Sequence, residues 1–198
     1  MTQLQIVNLA LSHLGMNTLA DLAGTDPATT AANLFFEPCR DDVFREYKWP
    51  FATVQELLAE SAEDALLGWS FMYDYPTQNV ATVWTVFNEV TTAAKEQQRF
   101  QVYYMPDEAK RVICSDLQTA YAEYTYLVSD ITMWDAKFIM ALSYRLAASM
   151  AHDLLGDPQV GLQLTNVYNN VLSEAKRVSF SERNRKPDQT SGYVDSRG

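Results

Sequence analysis

The sequence predicts an α+β fold, mainly α: a four-helix bundle with a small antiparallel β-sheet inserted into it and a flexible C-terminal tail. Three observations carry this. Residues 131–155 are apolar over more than one face at helical spacing; the period turns to partial alternation between Trp69 and about Tyr126; residues 181–198 are polar and have almost nothing to bury. The corresponding division is a helical bundle from 1–58 and 128–180, an inserted β subdomain at 59–127, and a flexible basic arm at 181–198. With 198 residues, 47% of them hydrophobic, the chain is long enough for one full core with a small appended subdomain.

Residues 131–155 are the expected centre. Trp134, Phe138, Leu142, Leu146 and Met150 recur every four residues, with Ile139 and Ala148 widening the stripe. Asp130 or Thr132 is placed to cap its start, with Asp135 three residues after Thr132 as in a capping box. Gly156 ends it, and Asp157-Pro158 starts the next helix directly. Such a helix, about 37 Å long, needs partners on several sides.

In chain order, Leu4, Val7, Leu11 and Leu14 stripe a first helix with Thr2 as cap and Gly15 as stop. After a connector at 17–24, Asp26-Pro27 opens a second helix, whose apolar positions are Ala32, Phe36, Cys39, Val43 and Tyr47. Pro38 has no N–H for the Leu34 carbonyl and is expected to kink or split it. Trp49-Pro50-Phe51-Ala52 closes it with two aromatic anchors. Residues 56–64, ELLAESAED, read as a short helix or a loop. SFMYDY, NVATVWTVFNEV, RFQVYYM, RVICS and AYAEYTYLV read as four or five short antiparallel strands. Their many polar residues suggest a thin sheet whose second face is covered by another subunit or left open. A fourth helix, from Pro158 to about Phe180, turns Val160, Leu164, Val167, Val171 and Ala175 inward, with Leu172 and Val178 alongside.

The net charge of −10 opposes a protein that grips nucleic acid through its phosphates. It is unevenly spread. From Lys176 onward six basic residues face three acidic ones, net +3, so the rest carries −13. A basic arm on an acidic body suits docking to an acidic partner surface. No basic n-region of a secretory signal and no membrane-spanning run is visible, so a cytoplasm-like compartment is expected.

The sequence offers no catalytic, cofactor-binding or metal-ligating set. Its two histidines, His13 and His152, fit no metal spacing, and no Gly-rich phosphate loop or nucleophile elbow appears. Cys39 and Cys114 read as reduced buried thiols; Arg40 beside Cys39 could lower its pKa, but no histidine partner is evident. Glu37, Glu46 and Glu60 are candidate glycosidase carboxylates only through neighbouring aromatics, and Asp41-Asp42 reads as a solvated helix face. Tyr103, Tyr104, Tyr121, Tyr124 and Tyr126 could stack on sugars or bases, but without interleaved basic residues they read as packing.

Five stretches together resemble one family. VNLALSHLG, CRDDVFREYKWPFA, GWSFMYDYP, LSYRLAASMAHDLLGD and VYNNVLSEAKR are similar, in this order, to motifs of the tail tubular protein A family, the head-to-tail adaptors of short-tailed bacteriophages. The resemblance spans residues 4 to about 180. Pro38, and Thr77-Gln78-Asn79 in place of a leucine-arginine run, depart from it. It implies a structural virion protein made in the host cytoplasm, without cofactor. As a dodecameric ring it would join the portal protein to the tail nozzle protein, its helices towards the portal and its β part towards the nozzle. DNA would pass through the bore without sequence-specific binding. Matching positions make Trp49, Phe51, Trp69, Tyr73 and Tyr75 structural anchors, to which the central helix adds Trp134. The basic arm, with Arg177, Arg183, Arg185, Lys186, Tyr193 and Arg197, is the expected contact to the portal or a neighbouring subunit. An adaptor that also cleaves peptidoglycan and a non-viral helical scaffold are the alternatives.

Overall fold

The computed structural model describes residues 1–76, 79–88 and 98–183; within these, the side chains of 179–183 are left aside. The first helix, α1 (Gln3–His13), starts at a capping box in which Thr2 and Gln5 each bond the other's backbone N–H. Asn8 clamps the connector that follows, giving its amide to the Leu19 carbonyl and accepting the Leu19 N–H at 2.7 Å. Helix α2 (Pro27–Glu46) is capped by Asp26, whose carboxylate takes the N–H groups of Ala28 and Thr29. It runs through Pro38 without splitting, so of the kink or split expected there the split does not occur. Pro38 and Leu34 both lie on the exposed face, so the Leu34 carbonyl, deprived of its helical donor, is open to solvent.

The central helix is shorter than its pattern. Residues Ile131–Met133 form a 3₁₀ turn capped by Asp130, and α3 (Ala136–Leu155) is capped by Asp135. Gly156, at φ 68°, ends it in the left-handed conformation. Helix α4 (Pro158–Arg183) continues past the expected end, so 181–183 belong to it; 184–198, the rest of the expected arm, lie outside the described residues. Its inner face is Leu164, Tyr168, Leu172 and Ala175; Val167, expected inside, is 38% exposed.

The strands overturn the expected architecture. Among the described residues there is no four-helix bundle with one small sheet, but four α-helices and two three-stranded antiparallel sheets. The first sheet orders β1 (Thr53–Leu57), β6 (Tyr121–Tyr126) and β3 (Val80–Phe87), with β6 central; the second orders β2 (Phe71–Asp74), β5 (Lys110–Ser115) and β4 (Phe100–Met105), with β5 central. Strand β1 occupies part of the stretch read as helix or loop, because Thr53–Leu57 finds β6 as an antiparallel partner. The main contacts of α1, α2 and α4 are all with α3, which its all-round apolar surface allows.

The layers follow from which faces are apolar. The first sheet turns one face to α2, with β3 and β6 in contact and Thr125 buried there. Its other face shares a core with the second sheet: Val86, Ala122 and Tyr124 meet Tyr73 and Ile113. The far face of the second sheet, Met72, Val112 and Cys114, is covered by Ala65, Leu66 and Trp69 of the β1–β2 connection. The second face, expected to be covered by another subunit or left open, is thus covered over much of its area by the same chain.

Candidate interaction surfaces

The chain leaves the helices at Trp49–Thr53 and returns at Tyr126–Trp134, and a cluster of rings is built where it does so. Phe138 of α3 is wholly buried at its centre, with ring centroids of Phe44 at 4.5 Å, Trp49 and Trp134 both at 5.1 Å and Phe51 at 5.3 Å. Both indoles donate to backbone, Trp49 Nε1 to the Val43 carbonyl and Trp134 Nε1 to the Val128 carbonyl, each at 2.9 Å. Each thereby satisfies the polar edge of a buried ring. Beside them, Lys48 from the end of α2 pairs with Glu123 of β6, which also accepts from Gln55 of β1. Of the expected anchors, Trp49, Phe51 and Trp134 therefore sit at the junction of helices and sheets.

The other three hold the sheets. Tyr73 lies between the sheets and donates its hydroxyl to the Leu117 carbonyl at 2.6 Å. The Tyr75 ring is capped by the Arg111 guanidinium at 3.9 Å. Trp69 packs on the far side of the second sheet, donating to Tyr103 Oη at 3.2 Å under the Arg99 guanidinium. Tyr124 is buried and bonded to Glu56, burial and that carboxylate both raising its pKa. Tyr121 stacks on Phe87, and Tyr126 accepts from Asn79. Of the five tyrosines considered for stacking on sugars or bases, Tyr104 alone is exposed.

The polar groups with chemical potential are held in structural bonds. His13 Nε2 lies 3.0 Å from Ser143 Oγ, and its ring stacks on Tyr144. Because the Ser143 hydroxyl is given to the Met140 carbonyl at 2.8 Å, Nε2 acts as donor, and burial lowers the pKa of His13. Cys39 is buried with its thiol 3.3 Å from Ser149 Oγ. Burial raises its pKa, so the lowering considered from Arg40 does not occur; Arg40 is paired with Asp41 at 2.8 Å instead. Cys114 is also a free buried thiol.

The carboxylates considered as an acid–base pair keep separate company. Glu37 is exposed on α2, Glu46 reaches Lys176 of α4 at 3.4 Å, and Glu60 stands opposite Tyr73 in an antiparallel backbone bridge beside β2. The densest charge cluster lies elsewhere. Lys110 holds Glu108 at 2.7 Å, Glu63 at 2.8 Å and Asp74 at 3.3 Å. Hydrogen bonds from Lys110 and Ser61 bring Glu63 down to about 2. Among the described residues no group of three or more His, Cys, Asp or Glu is placed to hold a metal, and no helix is long and apolar enough to cross a membrane.

An uncharged stretch lies on α4. Residues 158–173 contain no Asp, Glu, Lys, Arg or His. Their outer face presents Gln159, Gln163, Asn166 and Asn170 with Leu162, which is 59% exposed. Charge depletion is one compositional feature of interface cores, although these amides need hydrogen-bond partners when they are buried. The absence of charge over 158–173 is legible in the sequence itself, on the face opposite the apolar stripe. Beyond it, Arg177 is exposed on the last turns of the described helix, and Arg183 is its final residue. Arg185, Lys186, Tyr193 and Arg197 lie outside the described residues.

No protein-family model matches this sequence, and no curated protein matches it significantly.

Proposed function

We propose that this protein is a structural head-to-tail adaptor of a short-tailed phage. It would assemble as a ring beneath the portal, join the portal to the tail nozzle and form part of the DNA channel. The observation that carries the reading is the set of five stretches in family order. They fall on α1, the end of α2 with its aromatic corner, the entry into β2, the end of α3, and α4. Two further features support it. The acidic body, −13 before Lys176, suits a conduit that must not hold DNA. The uncharged outer face of α4 suits contact with another protein subunit. A ring requires a heterologous contact that closes on itself, and the basic end of the chain is the proposed dock to the portal or the adjacent subunit.

The test is mass by light scattering, for the protein alone and mixed with the cognate portal ring, with negative-stain images of the mixture. A ring of subunits stacked under the portal is the expected outcome. A folded sample that associates with no portal overturns the proposal.

A further inference from the structure

The second sheet has two edges, and they are treated differently. The β2 edge is covered: Ser61 N–H donates to the Met72 carbonyl and Asp74 N–H to the Ala59 carbonyl, both at 2.9 Å. The β4 edge turns its backbone groups away from the sheet and meets no partner strand among the described residues. Tyr75 N–H donates to the Arg111 carbonyl, so Arg111, and with it Ile113 and Ser115, turn their N–H and C=O towards β2. Their partners across the ladder on the other side are Tyr104, Val102 and Phe100, whose N–H and C=O therefore point out of the sheet. Nothing among the described residues pairs with them.

Edges usually carry a guard against further pairing: a charge, a proline, a bulge or a cover. In the first sheet, β3 is broken by register shifts at Val80/Thr82 and Val83/Thr85, and β1 exposes Glu56. Among the described residues strand β4 has none of these. Phe100–Met105 reads FQVYYM without charge or proline, its register with β5 is unbroken, and Val102 and Tyr104 are 37% and 63% exposed.

We propose that β4 pairs antiparallel with β4 of a second copy, joining the two sheets into one six-stranded sheet. The sequence of the strand argues for itself as the partner. A two-fold axis at Val102 sets Val102 opposite Val102 and Phe100 opposite Tyr104 on one face, and Gln101 opposite Tyr103 on the other. The outward-facing residues are those that meet as hydrogen-bonded pairs, giving about six inter-chain bonds. The one face gains two aromatic cross-strand pairs flanking a valine pair, and no charge meets another. A two-fold contact closes on itself and does not run round a ring, so this pairing uses a different surface from any ring interface and stands apart from the adaptor reading. One strand edge buries less than a standard interface, so the dimer is weak and its population depends on concentration.

The experiment uses the full chain. Light scattering from about 1 μM to about 1 mM should show a monomer–dimer transition, and Val102→Lys, which sets two ammonium groups opposite each other, should abolish it. Val102→Cys should form an inter-chain disulfide on oxidation, since paired Cα atoms sit about 5.5 Å apart. Tyr104→Cys, about four residues out of register with its copy, should not; Cys39 and Cys114 are buried and do not compete. A protein monomeric throughout that range, a Val102→Lys variant that dimerises like the parent, or cross-linking that fails to distinguish positions 102 and 104 overturns the proposal.

Discussion

Phe138→Ala is the substitution that most directly probes the junction. The side chain is fully buried and touches four rings at 4.5–5.3 Å. Truncating a buried phenylalanine costs about 3–5 kcal/mol in transfer and cavity terms. Each well-placed ring pair adds roughly 0.5–1.5 kcal/mol beyond area, which moves the expectation to the upper end, about 4–5 kcal/mol. Against a total of about 5–15 kcal/mol for a typical protein, that is a large share. For a chain of this size it lowers Tm by about 10–20 °C. Urea unfolding followed both by far-UV circular dichroism and by tryptophan fluorescence measures it, since Trp49 and Trp134 flank the cavity and coincidence of the two curves checks for a single transition. Phe138→Leu, which keeps much of the volume, should cost about 1–2 kcal/mol. If Phe138→Ala costs less than about 2 kcal/mol, the ring cluster does not hold the helices to the sheets and the reasoning fails.

Three other outcomes follow from single residues. Burial lowers the His13 pKa from 6.5, so the fold prefers the neutral ring: this stability is complete above 6.5 and is lost as pH falls through the folded value. Urea midpoints at about pH 7.5 and about pH 5.5 should differ less in His13→Gln than in the parent. Glu63, held at about 2, favours the fold above its ordinary 4.5 and loses that contribution as pH falls towards 2. A carbon-13 NMR titration of its carboxyl should show the low midpoint, and Lys110→Met should raise it towards 4.5. Gly156→Ala meets no atom within 4 Å, so its cost is the left-handed backbone alone, about 1 kcal/mol, seen as a drop in Tm of about 2–4 °C.

What could be read from the sequence was local. Thr2, Asp26-Pro27 and Gly156 act within a turn of themselves, and each stands where its chemistry placed it. Alternation marked five of the six strands, because a strand's two faces are written along it. Pairing is not written that way. Strand β6 takes β1 from before the expected insertion and β3 from within it, and two sheets result where one was expected. Thr53–Leu57 was missed because its glutamate and leucine serve a short strand and a helix equally well. Tyr168 was passed over in favour of Val167, although the polar end of a tyrosine permits burial where Arg145 lies over the ring. At the ring cluster, the tryptophans announced themselves, while Phe44 and the central role of Phe138 depend on contacts between α2 and α3 that no sequence spacing records.

The way the chain enters and leaves the sheets also bears on how such a molecule could arise and diversify. Thr53, at the start of β1, stands opposite Thr125, next to the end of β6, in the same ladder. The two crossings are therefore neighbouring residues across one strand pair, about 5 Å apart. Everything between them leaves and rejoins the helical part through adjacent ends, and β3 and β6 also rest against α2. Insertions in the loops between the strands can lengthen that segment while its two ends stay fixed on one strand pair.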